Sequence, residues 1–363
     1  MKKIHSTDIT GPIKKLKDAL PSISGNDGSK DNEVPQEIPR ITNDTVSIHR
    51  EDVLKSARKY IYPLSHSKSK IVIITSSIVI ALVIIFFSYC TLALYKFHTT
   101  SQFLYKVTEV IPFPVARING HFVSYNSYLF EIEHYIHYYH AEQGVNFSST
   151  SGKQQLSNYE QQALNKVVDD SYVADLAAQY HIKVTNSQVN NQINIVQQQN
   201  RLGSNQAQLA DVLKTYYGWS INDFKRELKL QLLTQDVVSR LDTSTWAQAR
   251  NVLGQLNKGT SFATLASQYS DDTSTKSNGG QYVGTISKND PNIPVQVITA
   301  LFSLKAGQYS GIINTGYSLE IVKNISVQDG QITAAHISLN FKDISTFIAP
   351  LQQQGSTKIY IKF

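Results

Sequence analysis

Three histidines recur at every third position in EIEHYIHYYH, where His134, His137 and His140 stand beside Glu131 and Glu133. Imidazole and carboxylate groups at short spacing are the donors from which zinc sites are built. On a helix His134 and His137 share a face, but His140 drifts about a further 60° around the axis. Tyr135, Tyr138 and Tyr139 are interleaved with them, which favours a partly exposed packing surface. No metal and no other cofactor is expected. A further histidine, His336, lies in ITAAHISLNF, an alternating run that puts Ile337, Leu339 and Phe341 on one face and His336 on the other. The only cysteine, Cys90, sits inside an apolar run, so no disulfide can form and no thiol is available elsewhere.

The elements that must position such groups begin with a membrane span. Ile71 to Tyr95 reads IVIITSSIVIALVIIFFSYCTLALY, twenty-five residues without a charge, enough to cross a bilayer as a tilted helix. Lys55, Arg58, Lys59, Lys68 and Lys70 precede it, whereas Lys96 and Lys106 follow, so the positive-inside rule places the N-terminus in the cytoplasm. Tyr89 is bulky where a lipoprotein cleavage site before Cys90 needs a small residue, which favours an uncleaved anchor. Residues 1–66 hold Pro12, Pro21, Pro35 and Pro39 with scattered charge, and read as a cytoplasmic disordered tail. An amphipathic helix over Arg50 to Tyr60, lying on the membrane, and a solvated stretch are equally compatible with its sequence.

Charge excludes one class of partner. Residues 1–70 carry 13 Lys and Arg against 9 Asp and Glu, and the net charge is +6, so a surplus of only two is left for the 293 residues that follow. That is no nucleic-acid footprint, and the basic segment fits the anionic leaflet of a lipid bilayer instead. With 41% hydrophobic and 17% charged residues the chain can hold two ordinary cores.

After the span (67–96) and a linker (97–115), residues 116–242 read as a helical domain. Short alternating runs flank Asn119-Gly120 as a small hairpin, and a helix starts after Ser124. Helical patterns follow over about Gln154–Tyr180, Ser187–Gln199, Ser204–Tyr217 and Ser220–Leu241, the last opening on Ser220 and Asp223 as an acidic capping box. The stretches VARINGHFVSYNSYLF, ALNKVVDDSYVADLAAQYHIKVTNSQVNNQI and LKTYYGWSINDFKRELKLQLL cover a little over half of residues 115–233. With Ala177, Ile182, Val184, Thr185 and Val189 in order, they resemble the N-terminal chaperone domain of the trigger-factor and SurA-like foldases.

Residues 243–341 carry the denser motif. Gly259, Phe262, Leu265, Ala266, Ser270, Asp271, Gly279, Gly280, Ala300, Phe302, Leu304, Gly307, Ser310, Gly316 and Tyr317 occur in sequence order. They resemble the parvulin family of peptidyl-prolyl isomerases across most of this domain. Phe262, Leu265 and Ala266 also fall on one helical stripe, and the paired glycines let the chain turn sharply into a strand. The resemblance implies a proline pocket at Ile293, Val297, Phe302 and Tyr317, with polar positions at Asp272 and Thr315. Two departures stand out. Ser318 occupies the place where the family has a histidine after its Gly-Tyr pair. The family's first strand, which carries another histidine, is missing before the first helix, because Leu241-Asp242-Thr243-Ser244 leads almost directly into it. ITAAHISLNF, after Asp329-Gly330, looks like that strand moved to the other end, which implies a circularly rearranged domain in which His336 restores the first histidine.

The chain therefore reads as α+β: a single transmembrane helix, an all-helical chaperone-like domain, a parvulin-like antiparallel sheet with surrounding helices, and a C-terminal segment, 342–363. The resemblances imply a membrane-anchored, extracytoplasmic foldase of PrsA-like layout, acting on unfolded or newly exported polypeptides with X-Pro bonds. Isomerisation needs no cofactor, since the barrier of about 18–20 kcal/mol is amide resonance. The alternative is an inactive holdase chaperone using the same domains. An envelope scaffold has no motif behind it.

Overall fold

A computed structural model of the chain describes residues 40–61, 64–198, 205–355 and 357–363. Residues 1–39, the larger part of the expected tail, lie outside them. Within that tail Asn43–Ile61 forms a helix, α1. It includes Arg50 to Tyr60, the stretch for which a helix was one of the two readings, and starts seven residues earlier. The Thr42 N–H donates to Thr45 Oγ1 at 2.9 Å and caps its start. α2 (Leu64–Tyr95) carries the apolar run. Its segment Lys70–Tyr95, of mean hydropathy 2.9, is long and apolar enough to cross a membrane. The Thr75 hydroxyl donates back to the Ile71 carbonyl at 2.9 Å, so this polar group is satisfied within the helix.

The end of α2 belongs to the core of the domain that follows, where Cys90, Ala93 and Leu94 are buried. The Leu94 carbonyl, one of the four that a helix end leaves open, accepts the Tyr125 hydroxyl at 2.5 Å, and the Tyr95 hydroxyl donates to the Pro114 carbonyl at 2.7 Å. Residues 97–115, expected to be a linker, instead hold α3 (Gln102–Val110), whose Leu104 and Thr108 are buried. β1 (Pro114–Ile118) and β2 (His121–Ser124) form the expected hairpin, with Asn119 and Gly120 at φ 48° and 92° as a two-residue connection of this hand requires.

α4 (Tyr125–Gln143) starts on Ser124, and α5 (Thr150–Gln179) and α6 (Asn186–Gln198) follow. α7 (Gln206–Val212) runs into a π-helical turn, Leu213–Tyr217, that ends on Gly218 in the left-handed region. α8 (Ile221–Leu241) opens on the expected capping box, in which the Asp223 N–H donates to Ser220 Oγ at 3.2 Å and the Ser220 N–H to Asp223 Oδ2 at 2.9 Å. Tyr125, Tyr128, Leu129 and Ile132 of α4 meet Leu164, Val167 and Tyr172 of α5 in the core.

The second domain begins at α9 (Thr243–Asn257) and continues through α10 (Phe262–Tyr269), α11 (Thr273–Lys276) and α12 (Val295–Ser303). β3 (Ile313–Asn314), β4 (Ser318–Gln328) and β5 (Gln331–Asn340) make an antiparallel sheet in the order β3-β4-β5. β4 and β5 turn on Asp329 and Gly330, at φ 54° and 75°, as the Asp-Gly pair predicts. On the free side of β5, Gln281 and Ile286 bridge to Ala335 and Ile332. One face of the hairpin, with Leu319, Ile321, Ile337 and Leu339, packs on α9 and α10. The other, with Val322, Ile332 and Ala334, packs on α12.

The chain then returns to the first domain. α13 (Ser345–Gln354) reaches α5, where Gln352 Nε2 donates to Asp169 Oδ1 at 2.7 Å, and β6 (Thr357–Ile359) pairs antiparallel with β1. The first domain therefore holds a three-stranded sheet, β2-β1-β6, and is not all-helical. Its third strand comes from more than two hundred residues downstream, a pairing that no local pattern announces. The second domain is inserted into the first. Asp242, 1% exposed, ties the two crossings together, because one carboxylate accepts the Thr245 N–H at 3.1 Å and the Lys342 N–H at 2.9 Å.

Candidate active site

His336 lies in the middle of β5, opposite Val322 of β4. Its backbone N–H donates to the Gly280 carbonyl at 2.8 Å. Only glycine permits that approach, since at φ 80° a Cβ on Gly280 would come 2.1 Å from the His336 carbonyl oxygen. The paired glycines thus set the chain against the histidine strand, beyond turning it.

The imidazole is held between two carboxylates. Its Nδ1 is 3.0 Å from Glu320 Oε2 and its Nε2 is 2.8 Å from Asp272 Oδ2, with Thr275 Oγ1 at 3.0 Å. The Tyr282 ring stacks on the imidazole with centroids 4.2 Å apart. Asp272 is the N-cap of α11, and its Oδ1 accepts the N–H and the hydroxyl of Ser274 at 3.0 and 2.7 Å. On the other side, Ser318 Oγ donates to Glu320 Oε1 at 2.8 Å and lies 2.9 Å from Thr315 Oγ1. Asp272, His336, Ser318 and Thr315 therefore form one hydrogen-bonded chain, and Glu320 is the link that joins its two halves.

The electrostatics follow from that clamp. Burial lowers the His336 pKa, but the hydrogen bonds and charges of Glu320 and Asp272 outweigh it, and the group is raised above the ordinary histidine value. For Asp272, burial pushes upward and is overcome by hydrogen bonds from Ser274, Thr275 and His336, which hold it far below the usual carboxylate range. Burial, with Glu320 and Asp272 nearby, pushes the Tyr282 phenol up. A carboxylate at each ring nitrogen favours the charged form of the imidazole over the neutral one.

Of the four positions expected to line a proline pocket, Val297 has no exposed surface and Ile293 is buried in the cluster formed with Ile298, Leu301, Val322 and Ile332. Phe302 is partly buried at its margin, with Lys288 Nζ 5.6 Å from its ring centroid. Tyr282 packs against the same cluster and so connects it to His336. Tyr317 is no member of that cluster. It is 62% exposed, and its hydroxyl accepts from Gln231 Nε2 of α8. Glu320, Thr275 and Tyr282 were not singled out from sequence. A carboxylate two residues after Ser318 within the apolar strand SLEIV was the one available signal.

In the first domain the three histidines each spend a ring nitrogen on a backbone carbonyl. His137 Nε2 is 2.8 Å from Thr215, His140 Nδ1 3.2 Å from Val145 and His134 Nδ1 3.5 Å from Tyr217. A ring nitrogen that donates to a carbonyl fixes the tautomer and orientation of its imidazole and leaves the other nitrogen as the acceptor.

Comparison with known proteins matches residues 232–326 to the family model of a PPIC-type PPIase domain and residues 65–238 to that of a SurA-like N-terminal domain. The first match ends within β4, so β5 and His336 lie beyond it. The chain is 26% identical over 183 residues to foldase protein PrsA 4 of Bacillus cereus, covering 47% of this chain and 61% of that protein. It is 29% identical over 192 residues to foldase protein PrsA 1 of Lactobacillus johnsonii, covering 46% and 62%. With foldase protein PrsA 3 of Bacillus cereus it shares 33% identity over 103 residues, 28% of this chain and 32% of that protein. The chain thus spans at most about three fifths of the length of these relatives.

Proposed function

We propose that this chain, in which a SurA-like N-terminal domain is joined to a PPIC-type PPIase domain, is a membrane-anchored foldase that isomerises X-Pro bonds in exported polypeptides. The observation that carries this reading is the clamped His336, with Asp272 on one side, Glu320 on the other and an apolar cluster linked to it through Tyr282. α2 is the anchor. The basic residues before Ile71 keep the N-terminus in the cytoplasm and put both domains outside.

Isomerisation breaks no bond. The site needs an environment in which the twisted amide is favoured over the planar one, and that means an apolar wall for the proline ring and fixed polar groups at the amide. Phe302 and Tyr282 keep partly exposed surface for the ring, backed by Ile293 and Val297. Asp272 is the most open member of the clamp, with its side chain 27% exposed against 9% for His336, and it presents the fixed charge to the substrate. His336 and Glu320 position it. Thr315 and Ser318 extend the chain of hydrogen bonds behind Glu320. The rearranged-parvulin reading draws support from β5, which lies between β4 and the stretch after Gly279-Gly280 and carries its histidine into this site.

A second reading, a holdase without isomerase activity, is favoured by Ser318 in place of the histidine and by the closed packing over Val297. A protease-coupled assay of an X-Pro peptide separates the two. The foldase reading expects activity in the full chain, with D272A and H336A each lowering kcat/KM by about tenfold to a hundredfold, the scale of a misplaced catalytic group. A full chain that suppresses aggregation of an unfolded protein but leaves the peptide rate unchanged establishes the holdase.

A further inference from the structure

The face of α4 that carries Phe130, Glu133, His134 and His137 has the spacing i, i+3, i+4, i+7 and looks onto a cavity of about 490 Å³ in the first domain. The π-helical turn and Gly218 supply the opposite wall, Tyr217 and Trp219. Gly218 stands at φ 69°, and a Cβ there would come 2.9 Å from the His137 ring, so the turn brings Trp219 close over α4. The rings stack in series. Trp219 lies 5.6 Å from Phe130, 4.5 Å from His134 and 5.3 Å from Tyr217 between centroids.

Two polar atoms in this aromatic enclosure have no partner. Glu133 Oε1 and Trp219 Nε1 are both shielded from solvent and make no hydrogen bond among the described residues. Buried polar atoms are paired as a rule, and an acceptor and a donor left open in one cavity mark what its occupant must bring. Among the described residues Glu133 forms no ion pair, and Lys106 of α3, which also lines the cavity, reaches Glu109 instead, at 3.7 Å. Arg226 lies over Phe130 at 4.6 Å and spends its guanidinium on Asn126 and Ser127.

We propose that this cavity binds the positively charged side chain of a lysine or arginine in an extended polypeptide, Glu133 and the aromatic walls holding the cation and the Trp219 N–H a backbone carbonyl of the same segment. An aromatic enclosure with a carboxylate at its base is the environment that a cation prefers. The inference rests on reading the first domain as a binder of unfolded chains and names the residue class that it selects. Burial, and then Asp223, raise Glu133 to about 7. Affinity therefore rises as the pH passes upward through neutrality. The other ionisable groups facing the cavity are His134, His137 and His140 of α4, Tyr105 and Lys106 of α3, Tyr217, and Asp223 of α8; burial lowers the His134 pKa, and a charge gained there at low pH acts in the same direction.

The chain has two tryptophans, Trp219 and Trp246, so W246F in the full chain in detergent micelles leaves Trp219 as the sole indole reporter. Its emission is titrated with acetyl-Gly-Gly-Lys-Gly-Gly-amide and with the norleucine counterpart, and calorimetric titration of the unsubstituted chain repeats both. The lysine peptide is expected to saturate the signal and to bind about tenfold more tightly than its neutral twin, the scale of a desolvated cation on an aromatic wall. E133Q is expected to abolish the difference and its dependence on pH between 6 and 8. Equal affinity for the two peptides, or binding of the lysine peptide with no change at Trp219, overturns the proposal. The probe contains no proline and is too short to aggregate, so its result stands apart from the isomerase and holdase assays.

Discussion

At the level of single residues, the site turns on one imidazole with a carboxylate at each nitrogen, and its pH behaviour follows from opposite signs. His336 is raised on folding, so its contribution to stability is complete below the ordinary histidine value of about 6.5 and is lost as the pH rises through the raised value. Asp272 is depressed, so its contribution is present above about 3.9 and is lost as the pH falls towards the depressed value. H336Q is therefore expected to lose most stability, relative to the unsubstituted chain, between about pH 4 and 6.5, with the gap narrowing above that range. Urea unfolding across pH checks it, and a gap that widens towards pH 9 contradicts the charged clamp. His336 was legible because strand alternation and its neighbours placed it. Glu320 was not, because its value depends on facing His336 sixteen residues along the chain, and a carboxylate in an exposed strand has the same sequence signature.

Among the elements, those whose reason is local were read closely. Ser220 and Asp223 announced the start of α8, Asn119-Gly120 and Asp329-Gly330 announced both hairpins, and the apolar stripe of Phe262, Leu265 and Ala266 announced α10. The π-helical turn before Gly218 was read as a continuous helix, since its widened hydrogen bonding leaves no mark on periodicity. Gly280 shows the same contrast, for its pairing with Gly279 suggested a turn, while its contact with the His336 carbonyl is a matter of tertiary approach. G280A is expected to cost more than about 1 kcal/mol, because φ 80° disfavours a side chain and the added methyl meets backbone that cannot swing aside. Thermal unfolding and the X-Pro assay should fall together in this variant, and an unchanged melting temperature argues against the close approach.

In the molecule as a whole, the second domain leaves and rejoins the first at one place, and Asp242 holds both crossings. Hydrogen bonds from Lys342, Ser244 and Thr245 overcome its burial and lower its pKa to about 2. D242A is expected to remove about 1–3 kcal/mol, the cost of stranding buried donors, and to speed amide exchange at Lys342 and Thr245. Exchange that quickens only within α9 would assign Asp242 the lesser role of a helix cap. The insertion was invisible beforehand because β6 is three residues long and its partner lies at the other end of the domain sequence. That pairing also sets a timetable. During synthesis β1 emerges early, yet it must wait for Thr357–Ile359 before its sheet closes. The enclosed isomerase-like domain can complete itself first, while the domain that encloses it stays open.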